Sequence, residues 1–123
     1  MNKYEALHNF FSSFGMKAYE ENSVPEEVRT KDMPYITYEV VTSSLDVQTV
    51  ALSCQIFHKS NSLMKINAAV EKLSEALSGG AKLQCDTGYI VLYRGTPFAQ
   101  NRPTEDKSVK AKYINITADY ITL

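Results

Sequence analysis

Apolar residues return at helical spacing close to the amino terminus, at Tyr4, Leu7, Phe10 or Phe11, and Phe14. This period predicts an amphipathic helix over residues 2–14. Gly15 follows directly, and glycine accepts the left-handed conformation in which many helices end. Residues 17–19 suit a short strand. Residues 20–33 are polar, charged and broken by Pro25, and read as a loop.

The period then shortens. Residues 34–41 (PYITYEVV) are rich in aromatic and β-branched side chains, which predicts a strand opening just after the proline. Residues 42–46 make the turn. Val50, Leu52, Cys54 and Ile56 alternate with Thr49, Ala51, Ser53 and Gln55, so the next strand has one apolar face and pairs with the first as a hairpin. Ser60, Asn61 and Ser62 offer side-chain acceptors for free helix amides. Leu63, Ile66, Val70, Leu73 and Leu77 then trace one helical face, with Lys65, Glu71, Lys72 and Glu75 outside it. Ser78-Gly79-Gly80 ends that helix.

Residues 81–87 read as polar connection and residues 88–93 as a strand. Residues 95–109 form a long polar connection carrying Pro97 and Pro103. In the closing strand, residues 110–122, Ile114, Ile116, Ala118 and Tyr120 alternate with Tyr113, Asn115, Thr117 and Asp119. The prediction is one α+β domain over residues 1–123. Its antiparallel sheet has about four to five strands, with two helices packed on one face, in the order α-β-β-α-β-β. Leu63, Ile66, Val70, Leu73 and Leu77 are expected to pack on Leu52, Cys54, Ile56, Ile114 and Ile116.

Composition narrows the function classes. The chain has 123 residues, 44% of them apolar and 22% charged, as in ordinary globular domains. Thirteen basic residues face fourteen acidic ones, a net charge of -1. That balance argues against binding nucleic acid through bulk electrostatics while leaving room for a local basic patch. No stretch approaches the roughly 20 apolar residues needed to span a bilayer, so no membrane contact is expected. Cys54 and Cys85 sit among strand-like residues and read as small core residues rather than a disulfide.

Catalytic chemistry leaves few traces. His8 and His58 lack cysteine or carboxylate partners at metal-ligand spacing, so no metal or other cofactor is expected. Gly79-Gly80 follows a helix, where a phosphate loop precedes one. Glu26-Glu27 and Glu105-Asp106 are adjacent carboxylates in polar stretches, and a general acid needs burial to raise its pKa. The chain is therefore not expected to be an enzyme, unless a site forms between protomers. Tyr35, Tyr38, Tyr89, Tyr93, Tyr113 and Tyr120 supply an alternative reading, a small RNA- or ligand-binding domain stacking bases on a tyrosine-rich sheet. Without interleaved basic residues, ordinary sheet packing is the favoured explanation of them.

The two long connections are the anomaly, because loops above about 12–15 residues in compact domains tend to be functional or disordered. They carry mixed charge and some apolar residues, the pattern of a docking surface on a neighbouring subunit. The candidate interface residues are Val24, Glu26, Glu27, Val28 and Arg29 in the first connection. Arg94, Phe98, Arg102, Glu105, Asp106 and Lys107 belong to the second.

The run Met33-Pro34-Tyr35-Ile36-Thr37-Tyr38-Glu39-Val40 resembles the strand start of small tail proteins in long-tailed bacteriophages. The similarity continues through residues 50–57 and 63–77, through Tyr93-Arg94-Gly95-Thr96-Pro97-Phe98, and through Lys112-Tyr113-Ile114-Asn115-Ile116. Together these stretches cover most of the chain in order. The family is the tail terminator, also called tail completion or minor tail protein, of such phages and related prophages. The resemblance implies a self-associating ring, usually a hexamer, that caps the finished tail tube. Its implied partners are the tail tube protein and a head connector or completion protein, with no specific nucleic-acid binding, although a ring lumen can pass DNA. It also implies assembly in the bacterial host cytoplasm and a final place in the virion tail.

Overall fold

The computed structural model describes residues 1–25, 33–39 and 47–122. In chain order the elements are α1 (Lys3–Phe11), β1 (Lys17–Glu20), β2 (Tyr35–Tyr38), β3 (Val47–Lys59), α2 (Met64–Leu77), β4 (Ala81–Cys85), β5 (Gly88–Arg102) and β6 (Val109–Thr122). The strands form one sheet in the order β1-β2-β3-β6-β5-β4. β1 runs parallel to β2, and every other neighbouring pair is antiparallel.

This corrects the expected fold. The sheet is a mixed, curled half-barrel of six strands, where an antiparallel sheet of four to five was expected, and the element order differs. Only one of the two helices packs across the sheet, where two were expected. α2 packs across the sheet's centre on β3, β5 and β6, while α1 lies along the edge strands β1 and β4.

One strand, β4, takes the sheet beyond the expected width. The expected short strand near residue 17 is present as β1. β4 falls in residues 81–87, which read as polar because its apolar face consists of Ala81, Leu83 and Cys85, two of them small. Those three are half-buried while Lys82 and Gln84 are exposed, the alternation of a strand covered on one side.

The second correction concerns residues 95–109. β5 continues through them to Arg102, so the connection to β6 spans only residues 103–108. Gly95 and Pro97 suggested a loop but in fact mark a bulge, where the β5–β6 register shifts between Arg94 and Ala99. The Asn115 carbonyl oxygen lies 2.7 Å from where a Cβ at Gly95 would stand, so only glycine fits that approach. Asn115 Nδ2 donates to the Pro97 carbonyl at 2.8 Å, replacing a ladder bond inside the bulge.

α1 begins with a reciprocal cap. Asn2 Oδ1 accepts from the Glu5 amide at 2.9 Å, and Glu5 Oε1 accepts from the Asn2 amide at 3.2 Å. Leu7 and Phe11 point into the core, whereas Tyr4, expected on the same stripe, is exposed. Replacing Asn2 with alanine removes one cap acceptor and should cost about 1 kcal/mol, read as a lower thermal midpoint. An unchanged midpoint would show that the packed face of α1 alone holds the helix.

α2 starts one residue later than expected. Its N-cap is Leu63, whose side chain makes no cap bond and is exposed; Ser62 Oγ accepts from the Met64 amide at 3.2 Å instead. Leu63 therefore drops out of the predicted core and Val70 is only half-buried, while Ile66, Leu73 and Leu77 are buried. They join Leu52, Cys54, Ile56, Ile114 and Ile116 in one cluster with Ile36, Ile90 and Leu92. Cys54 is wholly enclosed there, and burial pushes its thiol far above the ordinary range.

Candidate interface cleft

Strand alternation divides the residues of β2 and β3 between two faces. Ile36, Tyr38, Cys54 and Ile56 belong to the core, so Tyr35, Thr37, Gln55 and Phe57 project from the opposite face. On that outer face, at the end of the sheet where β3 meets the β5–β6 turn, lies a cleft of about 730 Å³. Glu21, Val24 and Met33 form one wall and residues 102–106 with Val109 the other. Tyr35, Thr37, Gln55, Phe57 and Lys59 make the floor.

The floor is held by aromatic and amide contacts. Tyr35 stacks on Phe57 with ring centroids 4.8 Å apart, and Tyr19 meets Tyr35 edge-on at 6.2 Å. The Arg102 guanidinium lies 5.4 Å from the Phe57 centroid and 5.8 Å from that of Tyr113. Arg102 Nε also donates to the Tyr113 hydroxyl at 3.3 Å, so this cation is aimed by two rings. Gln55 Nε2 donates to Glu21 Oε1 at 2.8 Å, tying the first wall to β3. Gln55 Oε1 is buried without a partner among the described residues. A donor brought by an incoming group would satisfy it.

The second wall is a knit turn. Asp106 Oδ1 accepts from the Ser108 hydroxyl at 2.6 Å and from its amide at 2.8 Å. Thr104 Oγ1 donates to the carbonyls of Asp106 and Val109, and the Ser60 amide donates to the Ser108 carbonyl. The Ser108 hydroxyl, then its amide, hold the Asp106 carboxyl below its ordinary value of 3.8. A depressed pKa means that the charged form supports the turn above about pH 4 and that this support fades as the pH falls through the folded value. Amide exchange at Ser108 should accordingly speed up below about pH 4 relative to Val109. Exchange at Ser108 that does not respond to acid would remove Asp106 from the account of the turn.

Of the interface candidates from the sequence, Val24, Arg102, Glu105 and Asp106 meet in this cleft. Lys107 is exposed on the turn, and its carbonyl accepts from Lys110 Nζ at 3.1 Å. Arg94 lies on the other face, donating to Ser74 Oγ of α2 at 3.2 Å. Phe98 is half-buried against the core, so it is a packing residue rather than a free loop side chain. Glu26, Glu27, Val28 and Arg29 lie outside the described residues. Sequence reasoning missed Thr37, Gln55, Phe57 and Lys59. Their signal was present as the polar half of each alternating strand, without any cue to which stretch of that face is enclosed.

The cleft offers both signs of charge and an apolar floor. Asp106 is occupied by its own turn and held ionised, a poor proton donor near neutral pH. Of the two histidines, His8 pairs with Tyr38 at 3.0 Å, and neither histidine lines the cleft. The described residues include no cluster of three or more metal-ligating side chains. No helix among them is long and apolar enough to cross a membrane. Compared with known protein families, the chain matches none, and comparison with curated proteins finds no match either.

Proposed function

We propose that this chain is a structural subunit of a long-tailed phage or prophage. In this reading it closes on itself into a ring, a hexamer by family resemblance, which caps the finished tail tube and presents the surface that joins the head. The observation that carries the reading is the convergence of two distant segments, around Val24 and around residues 102–106, on one cleft of mixed charge. A head-to-tail ring needs each subunit to receive a different patch of its neighbour, and such a receiving surface must offer apolar area with charges that set the register. The order of similar stretches along the chain supports the same assignment.

The tyrosine-platform alternative gains less. Tyr35 and Phe57 stack on each other and Arg102 covers the latter, so those faces are already occupied.

Arg102→Glu keeps a long side chain but reverses the charge aimed into the cleft. Native mass spectrometry should show wild-type protein in ring-sized species and the variant as monomer, with unchanged far-ultraviolet circular dichroism. A variant that assembles like the wild type would place the subunit contact elsewhere. Exposed ion pairs contribute only about 0–1 kcal/mol each, so the loss tests charge repulsion in an enclosed site rather than one missing bridge.

A further inference from the structure

Positive charge is unevenly placed on this nearly neutral chain. Lys59, Lys65, Arg102, Lys107, Lys110 and Lys112 gather at the end of the sheet that carries the β5–β6 turn. Those on the outer face share it with Glu21, Glu105 and Asp106, as described for the cleft. The opposite, α2-facing side is different. The register sets Lys110 beside His58 and Lys112 beside Ile56, and Ile56 belongs to the core, so these side chains leave the sheet on the helix side. Lys65, from the first turn of α2, is close enough to lower the pKa of His58, although burial is the larger cause. Among the described residues none of Lys65, Lys110 and Lys112 makes a salt bridge, and His58 Nε2 is buried without a partner.

We infer that this side is a contact surface for the phosphate backbone of duplex DNA. Like charges held together are costly unless an anion neutralises them, and among the described residues no carboxylate forms a salt bridge with these three. Lys110 and Lys112 stand two residues apart on one strand face, about 7 Å along it. Lys110 and Lys112 thus stand in line along the strand rather than around one converging pocket, which suits successive phosphates better than a single free anion. Lysine–phosphate contacts of this kind position a duplex without reading its sequence. The inference is independent of the ring assignment, because it is read on the isolated chain.

The test is fluorescence anisotropy with a labelled 20-base-pair duplex, with inorganic phosphate and polyglutamate as competitors. Three phosphate contacts predict a slope of about -2.7 in log affinity against log salt, or roughly 40-fold weaker binding at 200 mM than at 50 mM. Lys65→Gln, Lys110→Gln and Lys112→Gln together should abolish that slope, whereas Lys3→Gln with Lys72→Gln should leave it unchanged. Inorganic phosphate and polyglutamate should displace the duplex only through their ionic strength. The inference fails if the wild type does not bind the duplex at 50 mM salt or if the triple variant keeps the slope. Competition by polyglutamate matching unlabelled duplex would assign the patch to an acidic protein instead, and stoichiometric displacement by phosphate to a free anion.

Discussion

Replacing Leu73 with alanine should cost about 2–5 kcal/mol, because the side chain is 1% exposed and lies where α2 packs on the sheet. For a domain of this size, even the lower figure moves the thermal midpoint by several degrees, a large share of total stability. Leu63 gives the matched control. It precedes α2 by one residue, is 39% exposed, and loses little buried area as alanine. Leu63→Ala should therefore leave the midpoint within about a degree of wild type, since surface changes usually stay within about 0.5 kcal/mol. Equal damage from both would mean that the helix presents a different face to the core.

Gly95→Val is the second large effect, expected at about 1–3 kcal/mol from forced backbone movement. A Cβ at this position meets the carbonyl oxygen of Asn115 at 2.7 Å and its carbonyl carbon at 2.9 Å, and backbone cannot rotate away as a side chain could. The strain falls on the bulge that lets β5 run on to Arg102, so the variant should also disturb the cleft's second wall. Equilibrium denaturation reads the first consequence and amide exchange around residues 99–102 the second. If the variant is as stable as wild type and its exchange unchanged, the close approach of β5 to β6 at Gly95 is not part of the fold.

The two helices, the hairpin of β2 with β3 and the alternating face of β6 were legible in the sequence, because each carries large apolar residues at a clean period. Ile66, Leu73 and Leu77 on α2, and Leu52, Cys54, Ile56, Ile114 and Ile116 on the strands, were assigned to the core from that period alone and lie there. What the period could not reveal was width and curl. β4 hides its apolar face in Ala81 and Cys85, and the far half of β5 hides behind Gly95 and Pro97, residues that usually break strands but here build a bulge. With both missed, the sheet looked narrow enough for both helices to pack across it.

The cleft was half legible for a related reason. Unusual connection length and mixed charge pointed to the segments around Val24 and Glu105, although the second connection is only residues 103–108. Its floor comes from the outward half of β2 and β3, and only the three-dimensional course of the chain shows that Phe57 and Gln55 are enclosed while Tyr93 and Tyr113 stay exposed.

On the proposed function, the most direct test is electron microscopy of tails made by a phage or prophage that carries this gene, with the gene deleted and then supplied in trans. The ring-cap account predicts tails of uncontrolled length without joined heads in the deletion, and uniform, head-joined tails once the wild-type gene is restored. Uniform tails joined to heads in the deletion strain would contradict it.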